Sequence, residues 1–251
     1  MARASHWLVP DDWNRIERVR TGFGEGLAFE IYPRWETALW EGTFEHNVQA
    51  VLAEVLKPGI VFYDVGAGMG FYTCCAARTG ARVFAFEPNQ ENAETVERHL
   101  SMNHLGEHVT LERKAVFSHC GTIAMRRPTQ RHSHINAVVD ERGEELVPTV
   151  TLDQFCCDHA APDVCKVDVE GAESQVLLGA ERTFSSHSVL LLCEVHDAMN
   201  AEAVSRWLEQ RGYSLRWLAD GGAFPKHLVA QRVVSNSGTD TPLHVRMVTT
   251  E

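Results

Sequence analysis

The fold of this chain is decided by the stretch Val61-Phe62-Tyr63-Asp64-Val65-Gly66-Ala67-Gly68-Met69-Gly70-Phe71-Tyr72-Thr73. Its first half is apolar, β-branched and aromatic, which predicts a buried strand. Three glycines then predict a tight turn, and the residues that follow, 71–78, predict a helix. Glycine is favoured here because the backbone takes conformations that a Cβ would forbid, and because a ligand lies against bare amide groups at the helix start. The stretch therefore predicts a nucleotide-binding turn.

A second strand, residues 81–86, leads to Glu87, which lies twenty-one residues after Gly66. A carboxylate at this place can accept hydrogen bonds from two ribose hydroxyls. The third glycine, Gly70, comes one residue earlier than a dinucleotide fingerprint requires, because Phe71 holds that place. The pattern Asp-x-Gly-x-Gly-x-Gly instead resembles the first motif of class I S-adenosylmethionine (SAM) methyltransferases, which implies that Glu87 holds the adenosine ribose.

Composition and charge narrow the class of protein. The chain has 251 residues, and its 23 Lys and Arg against 34 Asp and Glu give a formal charge of −11. A surface this negative repels phosphate backbones, so nucleic acid is not expected as a partner. Seven cysteines without a disulfide framework or a signal peptide predict reduced thiols and a cytoplasmic protein. No apolar run approaches the roughly twenty residues of a membrane span, so no membrane association is expected.

The length suits one α/β domain with short extensions. Residues 1–41 predict an N-terminal cap with a short strand near 27–32, and residues 42–234 predict the main domain. Within it, residues 117–150 predict short strands where a simple alternating fold would place a helix, so they form a substrate-side insertion. Residues 235–251 predict a loose tail. Exposed tryptophans in the first forty residues would cover a substrate or a second subunit, so a homodimer is one expectation.

The remaining periodicity predicts an α/β fold with a mostly parallel sheet and helices on both faces. Further strands are expected at 109–113, at 163–168, at 188–196 and, within the insertion, at 122–125, 135–139 and 146–152. Helices are expected at 47–56, 89–103, 172–182 and 201–211. Strands 213–218 and 228–234 predict an antiparallel pair that closes the sheet at its C-terminal end.

Charged side chains lie near the ends of two buried strands. Lys166 and Asp168 are two residues apart, so they share one face of a strand that runs out into Glu170. Charges in a central strand are costly unless paired, so a buried Lys166–Asp168 ion pair is one interpretation and catalysis is the other. For Asp168 function is favoured, because open α/β sheets bind ligands at the carboxyl ends of their strands. The next strand ends at Glu194 and His196, again on one face.

Other candidate residues lie in loops. His132, His134 and Asn136 fall in the insertion and are candidate substrate residues, although loop histidines are often only solvated. Glu45, near the start of a helix, is either a carboxylate that favours the helix dipole or a ligand contact beneath SAM.

Four separated motifs together resemble the FkbM family of SAM-dependent methyltransferases. They are Gly42-Thr43-Phe44-Glu45, Asp64-Val65-Gly66-Ala67-Gly68-Met69-Gly70, Phe86-Glu87-Pro88 and Lys166-Val167-Asp168-Val169-Glu170-Gly171-Ala172-Glu173. The resemblance covers residues 42–196, and substrate identity is not carried over with it. One departure is Gly68-Met69, where many relatives carry Asn-Ile. The turn stays intact, but the family's contacts beneath the methionine moiety of SAM are not carried over to this chain.

The resemblance implies a Rossmann-like class I fold with a seven-stranded sheet. It also implies transfer of a methyl group from SAM to an oxygen, commonly a hydroxyl of a sugar or a secondary metabolite. The cofactor contacts that it implies are Glu45, Asp64, Gly66, Ala67, Gly68, Gly70, Tyr72, Glu87, Pro88, Asn89 and Ala115.

An unactivated hydroxyl is a poor nucleophile at neutral pH, so a base or a metal must help to remove its proton. We expect Asp168 and His196 to flank the acceptor oxygen, one of them as base, with Lys166 and Glu170 beside them. Glu194 is expected to orient His196 or to help hold a metal. Asp168, Glu194 and His196 offer ligands that suit magnesium or a similar divalent ion, so metal assistance is the alternative to base-only catalysis.

Three other functions stay open at this point. A nicotinamide-dependent oxidoreductase would use the same ribose carboxylate, although the early Gly70 and the antiparallel end of the sheet argue against it. A nucleic-acid ribose methyltransferase would use similar residues, but the negative charge opposes it. The chain would otherwise be a SAM-binding partner subunit without activity of its own.

Overall fold

The computed structural model of the protein describes residues 13–126, 138–140, 142–219 and 222–232. These ranges contain thirteen strands and eight α-helices. In chain order the strands are β1 (Arg15–Arg18), β2 (Ala28–Ile31), β3 (Val61–Val65), β4 (Arg82–Phe86), β5 (Val109–Glu112), β6 (Ala115–Val116), β7 (Gly121–Arg126), β8 (Val138–Val139), β9 (Glu145–Val150), β10 (Val164–Val167), β11 (Leu190–Val195), β12 (Tyr213–Trp217) and β13 (Lys226–Arg232). The helices are α1 (Thr37–Glu41), α2 (His46–Val55), α3 (Phe71–Arg78), α4 (Gln90–Met102), α5 (Leu152–Phe155), α6 (Glu173–Leu178), α7 (Glu181–Ser186) and α8 (Ala198–Glu209).

A seven-stranded sheet in the order β12-β13-β11-β10-β3-β4-β5 forms the centre of the fold. Strands β3, β4, β5, β10 and β11 are parallel, and β13 pairs antiparallel with both β11 and β12. The predicted fold class, a mostly parallel α/β sheet closed by an antiparallel pair, is confirmed. The chain leaves β3 toward β4 and β5, then returns to β10 and β11 on the other side. Ligand crevices form at such a reversal, at the carboxyl ends of the strands.

Both faces of this sheet are covered by apolar side chains. On one face, residues such as Phe62 and Leu192 pack with α2, α3 and α4. On the other, residues such as Tyr63 and Cys193 pack with α6, α7 and α8. Each fully buried large side chain contributes roughly 1.5–3 kcal/mol, so this two-sided core is the main stabilising term.

The N-terminal segment packs against the central sheet's helices. The strand predicted near residues 27–32 is β2, and it pairs antiparallel with β1. Phe29 of β2 is fully buried, and its ring centroid lies 5.5 Å from that of Phe71 on α3. His99 on α4 fixes the strand, because its Nε2 accepts the N–H of Glu30 at 3.0 Å. The role of this segment as a cap over the site stays a prediction.

The predicted insertion, residues 117–150, supplies three strands of a second sheet; the fourth, β6, directly precedes it, and the order is β6-β9-β7-β8. Its pairs are antiparallel except β6 with β9, which is parallel. The strand predicted over 146–152 is too long at its C-terminal end. Thr151 caps helix α5 instead, because its side chain accepts the N–H of Gln154 at 3.0 Å.

Most predicted helices agree with the structure. Helices α2 and α4 match the predictions over 47–56 and 89–103, and Asn89 caps α4 as expected. The helix predicted from residue 201 begins earlier, at Ala198, because Asp197 accepts the N–H of Asn200 at 2.8 Å. Among the helices of the described ranges, none has the length and apolar character that a bilayer crossing requires.

The single helix predicted over residues 172–182 is two helices, α6 and α7. The break lies at Gly179, whose carbonyl accepts the N–H of Asp153 at 3.0 Å. A Cβ on Gly179 would lie 2.1 Å from the carbonyl oxygen of Phe117. The insertion therefore begins directly against this break, a contact that local periodicity cannot reveal.

We expect Gly179→Ala to lower the free energy of unfolding by about 1–3 kcal/mol, the usual cost of overpacking. Gly106→Ala is the matched control, because no atom lies within 4 Å of the Cβ position there. Urea unfolding followed by circular dichroism measures both variants. Equal midpoints for the two would contradict the close contact between Gly179 and Phe117.

Candidate active site

A cleft of about 480 Å³ opens at the carboxyl ends of β3, β4 and β10. Four of the predicted cofactor residues line it, namely Gly66, Glu87, Pro88 and Ala115. Its remaining wall is mainly apolar and is contributed in part by the insertion. That wall includes Val116, Phe117, Ile123 and Met125. The cleft therefore combines two acids, Glu87 and Asp168, with an apolar surface.

Glu87 is the buried acid of this cleft and is only 3% exposed. Its Oε1 accepts the N–H of Asn89, and its Oε2 accepts the N–H of Gly68, both at 2.8 Å. Burial raises the pKa of Glu87 to about 7, although the two backbone bonds act in the opposite direction. Each oxygen keeps a second lone pair that can accept a hydroxyl hydrogen.

The N–H groups of the glycine turn are used inside the protein. Those of Gly66 and Ala67 donate to the carbonyl that ends β4, at 2.9 and 3.1 Å. Gly68 donates to Glu87, and Gly70 donates to the carbonyl of Ala67 at 2.8 Å. The expectation that a ligand lies against bare amides is therefore wrong for these four residues. A ligand with phosphates would have to use the amides that follow these residues, at the start of α3.

Gly66 also brings the turn against the end of β10. Its φ is +81°, and a Cβ there would lie 1.8 Å from the carbonyl oxygen of Asp168. Both the conformation and the close approach require glycine. The turn and the backbone of Asp168 are thus in direct contact.

Asp64 and Lys166 are register partners on β3 and β10. Asp64 is 1% exposed, and its Oδ2 accepts the hydroxyl of Thr73 at 2.6 Å. Burial raises the pKa of Asp64, while the ammonium of Lys166 acts against this shift. Asp64 therefore ties β3 to α3, and its direct contact with a cofactor stays a prediction.

Lys166 forms the predicted ion pair, with Nζ 3.0 Å from Asp168 Oδ2. Its side chain is 4% exposed, and Nζ lies 5.1 Å from the ring centroid of Tyr72. Burial alone would lower the pKa of Lys166, but Asp168 and the neighbouring carboxylates raise it above its usual value. Burial would likewise raise the pKa of Asp168, but Lys166 lowers it. At neutral pH the pair is therefore an ammonium and a carboxylate.

His196 lies just after β11 among three carboxylates. Its Nδ1 is 2.7 Å from Glu173 Oε1. Its Nε2 is 3.3 Å from Glu170 Oε2 and 3.9 Å from Asp168 Oδ1. Burial alone would lower the pKa of His196. The hydrogen bond that it donates to Glu173 and the charges of Glu170 and Asp168 instead raise this pKa to about 9. The structure thus brings together Asp168, Glu170 and His196, as the strand ends predict.

The predicted orienting role of Glu194 is not what the structure shows, because Glu173 holds the Nδ1 side of His196. Glu194 is instead the register partner of His227 on β13, and its Oε2 lies 3.7 Å from His227 Nε2. Burial and the nearby Asp168 raise the pKa of Glu194 to about 8. Cross-strand partners share a face of the sheet, which explains this pairing.

Glu45 completes a second cluster beside the first. Its Oε2 accepts the hydroxyl of Tyr72 at 2.8 Å and lies 3.8 Å from His227 Nε2. Burial raises the pKa of Glu45. Glu45 makes no side-chain cap of α2, so the helix-dipole interpretation is less apt than a contact within the site. Tyr72, predicted to touch the cofactor, is 4% exposed and supports Glu45.

Two of these carboxylates have unusual backbone conformations. Glu45 has a φ of 42° and Glu170 a φ of 52°. Side chains other than glycine rarely take this left-handed conformation, which costs on the order of 1–3 kcal/mol and is enriched at functional sites.

Sequence reasoning missed two residues of the site. Glu173 closes the fourth motif and begins α6, where an acid is already favoured by the helix dipole, so no role in the site was predicted for it. His227 lies on the antiparallel strand β13, far from the other motifs in sequence. The candidate substrate residues His132, His134 and Asn136 lie outside the described residues, so their role stays a prediction.

The predicted metal ligands do meet. One ligand atom each from Asp168, Glu194 and His196 lies within 4.8 Å of the others, and Glu45, Glu194 and His227 form a similar group. The ammonium of Lys166, however, already lies 3.0 Å from Asp168. A divalent ion would share Asp168 with that positive charge, so metal binding stays a prediction that the geometry does not favour.

Comparison with known proteins relates this site to one family. The family model described as the Methyltransferase FkbM domain matches residues 64–215, more than half of the 251-residue chain. Among curated proteins, the hexuronic acid methyltransferase AglP of Haloferax volcanii is 29% identical over 168 residues. That alignment covers 66% of this chain and 68% of AglP.

Solved structures share the fold. The FkbM methyltransferase of Methylobacillus flagellatus KT has a TM-score of 0.53 and 18% identity over 68% of this chain. The matched region is 43% of that protein, so this chain spans less than half of its length. A putative rRNA methylase of Clostridium thermocellum has a TM-score of 0.51 and 12% identity, over 75% of this chain and 94% of that one.

Proposed function

Because this chain belongs to the FkbM methyltransferase family, it is a methyltransferase, and we propose that it methylates a hydroxyl oxygen of a sugar-type small molecule with SAM as donor. The observation that carries this proposal is the Glu87 cleft, which runs from an apolar wall to Asp168 beside His196. Family membership excludes the oxidoreductase alternative.

The residues of the cleft fit SAM. Glu87 would accept the ribose hydroxyls, and the apolar wall around Ala115 would hold the adenine ring. When bound, SAM supplies a methyl group on a positively charged sulfur, already activated for transfer to an oxygen. The protein's task is then to align the acceptor, exclude water and remove a proton.

Proton removal falls to His196 in this proposal. Its Nε2 faces Glu170 and Asp168 at the mouth of the cleft, while Nδ1 is bonded to Glu173. The imidazole is 17% exposed, so it can reach an acceptor without being open to bulk water. Lys166 holds Asp168 ionised beside it. Asp168 is then available to accept a hydrogen bond from the same hydroxyl.

A second cleft supports a sugar acid as the acceptor. It has a volume of about 900 Å³ and lies where β12 ends and β13 begins, at the same edge of the sheet as His196. Trp217 and Phe224 are 40% and 37% exposed there, and Lys226 Nζ lies 5.1 Å from the Phe224 ring centroid. Aromatic faces pack against the C–H groups of a sugar ring, and an ammonium attracts a carboxylate. The hexuronic acid named for AglP is of this class.

The proposal is tested by incubating the protein with SAM that carries a ¹³C-labelled methyl group and with methyl glucuronide, methyl glucoside or a short RNA. We expect demethylated donor to form faster with methyl glucuronide, the sugar acid, than with methyl glucoside or RNA. We also expect NMR of the product to show a methyl ether. A methyl ester would place transfer on a carboxylate, which needs no base, and would contradict the role of His196. Turnover on RNA alone would contradict the small-molecule acceptor.

The pH dependence of turnover follows from His196. Because carboxylates raise its pKa to about 9, the neutral form is scarce at pH 7 and becomes the main form only above pH 9. We expect kcat/KM to rise by about tenfold per pH unit below pH 9 and then to level off. A flat profile between pH 6 and 9 would indicate Asp168 as the base, since its pKa is lowered and it is already ionised.

A further inference from the structure

Glu173, at the start of α6, is a completely buried acid, 0% exposed. A carboxylate removed from water is costly unless charged or hydrogen-bonded partners compensate. In the described part of the chain its Oε2 has no hydrogen-bond partner, so all its compensation comes through Oε1. The contacts of Oε1 therefore indicate why residue 173 is an acid.

Two donors converge on Oε1. The backbone N–H of Gly171 donates to it at 2.8 Å. Nδ1 of His196 lies 2.7 Å from the same atom. As a carboxylate, Glu173 can only accept hydrogen bonds, so in the short contact Nδ1 carries the hydrogen and donates it to Oε1.

This bond fixes which nitrogen of His196 faces the cleft. With Nδ1 protonated and held by Glu173, the other nitrogen, Nε2, points to Glu170 Oε2 and Asp168 Oδ1. In the neutral ring Nε2 is then the lone-pair nitrogen, which is the form that a general base needs. Without Glu173 the ring could rotate or take the other tautomer, with its hydrogen on Nε2.

The turn that carries Glu173 is itself braced. Glu170 and Gly171 both have positive φ, 52° and 99°. Asn200 on α8 donates from Nδ2 to the Gly171 carbonyl at 2.9 Å and to Asp197 Oδ2 at 3.0 Å. The loop after β10, which carries Glu173, is thus tied to the loop after β11, which carries His196.

We propose that Glu173 is a positioning residue for methyl transfer, which holds His196 in the Nδ1-protonated form so that Nε2 takes the acceptor's proton. The proposal rests on the proposed function for its consequence, but the contact itself does not depend on activity. Some carboxylates bind the ring nitrogen of a functional histidine that faces away from the reaction. Removing such a carboxylate commonly lowers the activity by about 10–100-fold.

The first test is kinetic. We expect Glu173→Gln to lower kcat by about 10–100-fold, with the KM for SAM unchanged, because the side chain of Glu173 bonds Gly171 and His196 and does not line the Glu87 cleft. Since Glu173 acts through His196, adding Glu173→Gln to His196→Ala should cost nothing more than His196→Ala alone. Full kcat in a folded Glu173→Gln protein, or additive losses in the double variant, would overturn the proposal.

The second test does not need activity. Long-range ¹H–¹⁵N NMR spectra of the wild-type protein distinguish the two histidine tautomers, and the His196 signals are those that His196→Asn removes. We expect hydrogen on Nδ1 at a pH where the ring is neutral, and loss of this preference in Glu173→Gln. A wild-type ring with its hydrogen on Nε2 would overturn the proposal. An Nδ1-protonated ring in a protein that methylates nothing would leave Glu173 assigned and the proposed function wrong.

Discussion

His196→Ala should lower kcat by about 10²–10⁴-fold, the contribution of a general base that removes a proton from a hydroxyl. The affinity for the demethylated donor should stay within about twofold, because His196 lies at the β11 end of the site and Glu87 at the β4 end. The rate at which the purified protein forms demethylated donor measures kcat. Isothermal titration calorimetry measures the affinity for the demethylated donor.

Folding must be separated from chemistry in this variant, because removing the imidazole leaves Glu173 buried without its main partner. His196→Asn retains a side-chain N–H that can donate to Glu173, so it should fold and still lack a base. His187→Ala is the control for histidine removal, because His187 is exposed after α7. If folded His196→Asn keeps wild-type turnover, His196 is not the base.

Glu87→Ala should weaken binding of SAM by about 10²-fold or more. A hydrogen bond to a charged group contributes about 1.5–3 kcal/mol, and the carboxylate has room for two from a ribose. The same side chain also holds Gly68 and Asn89, so thermal unfolding must accompany the calorimetry. Glu97→Ala, which removes an exposed carboxylate of α4, is the matched control.

The raised pKa of Glu87 adds a pH dependence to this prediction. Burial brings the pKa to about 7, and the hydroxyls of a ribose bind best to the ionised form. Affinity should therefore fall as pH drops through 7, by about tenfold per pH unit well below it, and be constant above about pH 8. Glu87→Gln should remove this dependence. Binding that is equally tight at pH 5.5 and pH 8 in the wild-type protein would contradict the contact between Glu87 and the ribose.

The core of the fold could be predicted because it rests on short-range patterns. An apolar run, three glycines and a helix define β3 and its turn, and the spacing to Glu87 follows from the length of one helix and one strand. The meeting of Asp168 with His196 also follows from local rules. Residues two apart share a strand face, and the ends of parallel strands meet at one edge of the sheet.

Other features depended on contacts between distant segments. The break at Gly179 exists because the chain near Phe117 lies against it, and the amides of the glycine turn are occupied because β4 offers them its terminal carbonyl. Neither partner is visible from the pattern of the segment itself. The N-terminal strand β1 was missed for a different reason: Ile16 is its only apolar residue and is exposed, so the four residues show no apolar–polar alternation.

By itself, the sequence determined the α/β sheet, the turn beneath the cleft, the position of Glu87 and the strand-end charges, because each follows from spacing along one or two elements. Only the tertiary structure decided which carboxylate holds which imidazole. Glu194 was the partner predicted for His196, but in the structure Glu194 pairs across the strands with His227 of β13. The left-handed turn at Glu170 and Gly171 brought Glu173 to His196 Nδ1. Hydrogen-bond partners depend on differences of about one ångström in the folded state, which residue spacing alone does not specify.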